Sequence, residues 1–121
     1  MSMILIVEDE APIRELLAWV LRDLGYEVEE AINGREAMAL VADHRPDLVI
    51  SDVMMPVMGG PELCRWMKRE FAAAPPVILT SSIGVRAAHG TGADAFVAKP
   101  FDPDQLSAQV AQLLERGPRE P

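Results

Sequence analysis

The stretch Met3-Ile4-Leu5-Ile6-Val7, running straight into Glu8-Asp9-Glu10, decides the fold. Consecutive apolar residues without alternation mark a strand covered on both faces. The run stops at carboxylates, which end the strand. Beyond them Ile13, Leu16, Leu17, Val20, Leu21 and Leu24 recur at the three- and four-residue spacing of an amphipathic helix. Pro12 suits the first turn of that helix, where no backbone N–H is needed. Gly25 suits its carboxyl end, where a left-handed residue closes the last turn.

Outward from this pair the alternation repeats. Residues 26–32 read as a second strand with Val28 as its clearest inward side chain, and Asn33-Gly34 punctuates. Residues 35–44 form a helical pattern with Ala37, Leu40 and Val41 on one face, closed by Arg45-Pro46. Residues 47–51 (DLVIS) are a third strand, and 52–60 (DVMMPVMGG) a Pro- and Gly-rich loop. A helix over 61–71 carries Leu63, Met67 and Phe71; strands follow at 75–79 and 95–97. The last helix, Pro103–Arg116, presents Leu106, Val110, Leu113 and Leu114. Between the fourth and fifth strands, 81–92 (SSIGVRAAHGTG) shows little apolar period, and each interior glycine costs a helix about 1 kcal/mol against alanine. A helix there is expected to be shortened, irregular or mobile.

Strand and helix alternate from end to end, which predicts an α/β fold: a single doubly wound parallel sheet with helices on both faces. Residues 1–116 are expected to form one domain, and 117–121 (GPREP) a flexible tail or the start of a linker.

Composition narrows the function. The 121 residues carry 11 Lys+Arg against 19 Asp+Glu, a net charge of -8, and 50% are hydrophobic. That is enough apolar material for one core, and no Lys/Arg cluster invites direct contact with nucleic acid. No apolar run approaches the roughly 20 residues of a membrane helix, and no basic stretch precedes the first apolar residues, so a cytoplasmic protein is expected. A single cysteine, Cys64, excludes an intramolecular disulfide, and His44 and His89 lack metal-ligand spacing. Trp19 and Trp66 read as packing or surface residues.

In a sheet of this kind ligands bind beyond the carboxyl ends of the strands, near the point where strand order reverses. Those ends carry Glu8 and Asp9 after strand one, Asp52 after strand three, Thr80 after strand four and Lys99-Pro100 after strand five. Two carboxylates about 4 Å apart repel by ~4 kcal/mol at an effective dielectric near 20. Lys99 supplies one compensating charge. A hard divalent ion such as Mg2+, which takes one or two carboxylates and a phosphoryl oxygen, suits the remaining oxygen-lined hole.

Taken together, Glu8-Asp9 after an apolar strand, Asp52 with Pro56 and Gly59-Gly60 behind it, Thr80, and Lys99-Pro100-Phe101 resemble a response regulator receiver domain of two-component signalling, similar to the chemotaxis regulators. The resemblance covers essentially the whole chain and implies a flavodoxin-like five-stranded sheet in the order 2-1-3-4-5. It implies that Asp52 accepts a phosphoryl group from a phosphohistidine on a sensor histidine kinase or histidine phosphotransfer protein. Glu8, Asp9, Asp52 and the Met54 backbone carbonyl would hold Mg2+. Lys99 would stabilise the phosphoryl charge and Thr80 would hydrogen-bond it. Thr80 and Phe96 would form the switch, and Met54 and Ser82 would tune decay of the aspartyl phosphate. The Lys99–Pro100 bond matches the family's cis position. Two departures stand out: Glu8 replaces the aspartate often first in the acidic pair, and the segment from Thr80 to Lys99 is short and glycine-rich.

On this reading the chain is a phosphoacceptor that switches a surface for a downstream protein target. It is not an enzyme beyond its own phosphotransfer and dephosphorylation, and neither nucleic acid nor membrane insertion is involved. One alternative is a pseudo-receiver that scaffolds partners without phosphorylation. Another is an aspartate-nucleophile phosphatase, which wants a second aspartate two residues past the first, where this chain has Met54. A flavodoxin-type binder would need Ser, Thr or Gly after strand one, where Glu8-Asp9-Glu10 has the wrong charge.

Overall fold

Five strands and four helices alternate in the computed structural model, which describes residues 2–84, 86 and 89–118. They are β1 (Met3–Val7), α1 (Ala11–Asp23), β2 (Glu27–Ala31), α2 (Gly34–His44), β3 (Leu48–Asp52), α3 (Gly60–Glu70), β4 (Val77–Ser81), β5 (Ala95–Ala98) and α4 (Pro103–Arg116). All strand pairs are parallel and the order is β2-β1-β3-β4-β5. The order reverses between β1 and β3, so the switch point falls where Glu8, Asp9 and Asp52 leave the sheet.

The unbroken apolar run of β1 divides by parity. Ile4 and Ile6 face one core with Leu17 and Leu21 of α1 and Leu106 and Val110 of α4. Leu5 and Val7 face the other, with Val41 of α2 and Leu63 and Met67 of α3. Full burial of such side chains contributes about 1.5–3 kcal/mol each, which holds helices to both faces of the sheet.

Local chemistry sets the ends of the helices. The Asn33 side chain accepts from the Glu36 N–H (2.8 Å) to cap α2, and Asp102 accepts from Asp104 (2.9 Å) to cap α4. Gly25 closes α1 with φ of 96°, a conformation that side chains disfavour.

Several expectations shift. The buried stripe of α1 is narrower than its apolar spacing suggests: Leu17, Ala18 and Leu21 are buried, while Leu16 is 53% exposed and Leu24 48%. Six positions spread over more of the helix surface than one sheet face covers. Strand β3 includes Asp52, and β4 runs on through Thr80 and Ser81. The ladder continues past the apolar residues because backbone groups pair whatever the side chains: Asp52 opposes Thr80, Thr80 opposes Val97 and Ser81 opposes Ala98.

Between β4 and β5 no α-helix occurs among the described residues, and the His89 N–H donates to the Arg86 carbonyl at 3.1 Å. The expected short helix also covers residues 85, 87 and 88, and the expected tail covers 119–121, all outside the described residues. No helix among the described residues is long and apolar enough to cross a membrane.

At the opposite end of the sheet from the acids, Asp94 leads into β5 with its side chain fully buried. Its carboxylate accepts from the Val77 N–H (2.8 Å), pairs with Lys68 of α3 (3.7 Å) and with Arg116 of α4 (2.6 Å).

Candidate functional site

The loop after β3 positions the central carboxylate. The Val53 N–H donates to the Thr80 carbonyl (2.9 Å), and the Gly60 N–H returns to the Val53 carbonyl (3.1 Å). A Cβ on Gly60 would strike the Asp52 carbonyl oxygen and come within 2.8 Å of Leu79, so only glycine lets α3 start this close to the strand end. The Asp52 side chain is thereby held at the mouth of the sheet, with the residue 8% exposed.

Lys99 converges on it from β5. Its backbone N–H donates to the Ser81 carbonyl (3.0 Å), and the following bond to Pro100 is cis. Its Nζ donates to Glu8 Oε1 at 2.7 Å and to Asp52 Oδ2 at 2.9 Å. The other Glu8 oxygen accepts from the Glu10 N–H at 3.2 Å, and Arg14 Nη1 donates to the Glu8 carbonyl at 2.9 Å.

Electrostatics follow from this burial. Desolvation raises the Glu8 carboxyl above its ordinary range, outweighing the opposing hydrogen bonds from Lys99 and Glu10. Desolvation pulls the Lys99 ammonium down, but hydrogen bonds and attraction from Glu8 and Asp52 overcome it and raise the group above its ordinary value.

The donor set fits a hard divalent ion. Glu8, Asp9 and Asp52 each offer a carboxylate oxygen, and the three atoms lie within 4.8 Å of one another. One ammonium faces three carboxylates, so the cluster keeps net negative charge for an oxygen-seeking cation. Asp9 is exposed, whereas Glu8 is buried and paired with Lys99, so the two adjacent acids sit in different environments.

The structure thus brings together Glu8, Asp9, Asp52 and Lys99. Thr80, 1% exposed, lies beside Asp52 in the ladder. The β4 side of the adjoining cleft, a cavity of about 470 Å³, is formed by Ser81 and Ser82, with Met54 also in its lining. Phe96 opposes Leu79 in the ladder and packs half-buried against the α2–α3 side of the core. Sequence reasoning misses Ser81, whose carbonyl anchors Lys99, because the apolar signal of the fourth strand stops at Leu79 while the ladder runs on to Ser81. It misses Arg14 because one arginine near a helix start carries no spacing signal. His44, which lacks metal-ligand spacing in the sequence, lies 2.8 Å from Glu29, away from this site.

Comparison with known proteins gives concordant results. The family described as response regulator receiver domain matches residues 4–111. The phosphate regulon transcriptional regulatory protein PhoB of Pseudomonas aeruginosa is 42% identical over 118 residues, covering 93% of this chain and 52% of that protein. The DNA-binding response regulator MtrA of Mycobacterium bovis is 37% identical over 98% of this chain and 53% of its own length. The chain spans about half the length of the curated relatives it matches. Among solved structures, the signal receiver domain of a signal transduction histidine kinase from Syntrophus aciditrophicus superposes with a TM-score of 0.86 at 40% identity, covering 95% of this chain and 91% of that one. The chemotaxis protein CheY4 of Vibrio cholerae gives 0.83 at 34% identity, covering 93% and 98%.

Proposed function

The chain belongs to the response regulator receiver-domain family, and from that premise we propose that it takes a phosphoryl group onto Asp52 from a phosphohistidine of a sensor histidine kinase or histidine phosphotransfer protein. An Asp52 carboxylate oxygen attacks phosphorus, the P–N bond breaks, and its electron pair returns to the imidazole. The observation that carries this reading is the carboxylate of Asp52 at the switch point of the sheet, paired with Lys99 at 2.9 Å and bordered by two further acids.

Each neighbour has a task on this reading. Glu8, Asp9, Asp52 and the Met54 carbonyl are the groups that would hold Mg2+, which supplies positive charge against the incoming phosphoryl oxygens. Lys99 is pre-oriented by Glu8 and meets the developing charge without reorganising. Thr80 hydrogen-bonds a phosphoryl oxygen, and Phe96 follows its movement. Met54 and Ser82 set access of water and so the lifetime of the acyl phosphate. The charge placed on Asp52 shifts a surface read by a downstream protein target. The chain works in the cytoplasm, turns over no separate substrate and acts through protein contacts, in keeping with its net charge of -8.

Incubation with acetyl phosphate and Mg2+, followed by intact-mass measurement, tests the assignment. The wild type gains one phosphoryl group; Asp52→Asn gains none, and chelation of Mg2+ stops the reaction. Phosphorylation of folded Asp52→Asn, or none on the wild type, overturns it.

A further inference from the structure

The cavity that holds Asp52 and Lys99 is larger than a phosphoryl group needs. At about 470 Å³ it falls among small-molecule sites, which run roughly 300–1,000 Å³. Its floor is charged and much of its wall is apolar: Ile13 of α1, Met54 of the β3–α3 loop, Ile83 after β4 and Phe101 after β5 all line it. Met54 and Ile83 are 65% and 64% exposed, so apolar surface faces solvent beside the reactive carboxylate. Glu10 lines the same opening and repels any ligand with additional negative groups.

We propose that this cleft is a subsite for the leaving group of a small phosphodonor, and that it selects acyl phosphates with a flat apolar acyl group over those with a small or anionic one. The inference rests on Asp52 being the phosphoacceptor and adds the donor class. Phosphorus is transferred to an Asp52 oxygen, the bond between phosphorus and the acyl oxygen breaks, and that electron pair leaves on the released carboxylate. One acyl phosphate is consumed and one is formed, so no proton or further reactant is needed. Apolar walls that touch the acyl group favour the donor by the contact they bury.

Two measurements test the subsite. Non-transferable phenylphosphonate and methylphosphonate are titrated with Mg2+ present, while the methyl NMR signals of Ile13 and Ile83 are followed. Phenylphosphonate is expected to bind about tenfold tighter, the lower range for a modest apolar contact, and to move both signals. Ile83→Ser, at an exposed position that leaves the core intact, is expected to reduce that preference to near unity. In the second, benzoyl phosphate and acetyl phosphate are compared as donors to the wild type, and benzoyl phosphate is expected to react faster at equal concentration. Equal binding of the two phosphonates, or equal donor rates, overturns the subsite while acetyl phosphate still modifies Asp52. Failure of both donors to modify Asp52 instead overturns the phosphoacceptor reading on which it stands.

Discussion

Lys99 Nζ lies 2.9 Å from Asp52 Oδ2, an ion pair that ties the end of β5 to the end of β3 across 47 residues of chain. The same nitrogen donates to Glu8, just past β1, so one ammonium holds three strand ends together. Removing it leaves two buried carboxylates facing each other.

Lys99→Met is therefore expected to destabilise the fold by about 3 kcal/mol at neutral pH, the scale of a broken buried pair. The loss shrinks in acid, because Glu8 can take up a proton in place of the ammonium. Urea unfolding of wild type and variant at two pH values checks both the size and the trend. The variant is also expected to accept phosphoryl far more slowly.

The two raised groups give opposite ends of a stability profile. Glu8 binds its proton more tightly folded than unfolded, so its contribution is full below its ordinary value of 4.5 and is lost as pH rises through the raised folded value. Lys99 contributes fully below 10.5, and that part is lost as pH rises through its raised folded value. Thermal unfolding across pH is expected to show both declines. Glu8→Gln removes the acidic one and weakens the alkaline one.

Gly34 begins α2 against the loop that carries Met54. A Cβ there would lie 2.7 Å from Met58 Cγ and 2.8 Å from the Met58 carbonyl oxygen. The side chain can move aside but the carbonyl cannot, so Gly34→Ala has to displace the loop, at a cost of about 1–3 kcal/mol. Mg2+ titration followed by calorimetry is expected to show weaker binding in Gly34→Ala, though none of the carboxylates of the cluster is altered.

Val57 sits in the same loop with φ of 74° and 68% exposure. A β-branched residue is strained in the left-handed region, whereas asparagine tolerates it. Val57→Asn is expected to raise stability by about 1 kcal/mol, read as a higher urea midpoint with an unchanged slope.

Much of this was legible in the chain. Buried parallel strands are unbroken apolar runs, so Met3–Val7 and its counterparts stood out, and the residues just past them named Glu8, Asp9, Asp52 and Lys99 as neighbours. Ser81 stayed hidden because a serine gives no apolar signal although its carbonyl still pairs in the ladder. Leu16 misled in the other direction: it obeys the helical spacing yet points outward, since periodicity gives a face but not its width. The distinct environments of Glu8 and Asp9 come from tertiary packing alone, as adjacent residues in the chain differ there in burial and partner.

Asp94 gives the sheet a mechanical asymmetry. Its side chain moors the start of β5 to β4, α3 and α4, while at the far end of the ladder the side-chain tie is Lys99 and the charges it answers. A change of charge at Asp52 therefore bears first on Lys99 and the turn leading to α4, and last on the base that Asp94 holds.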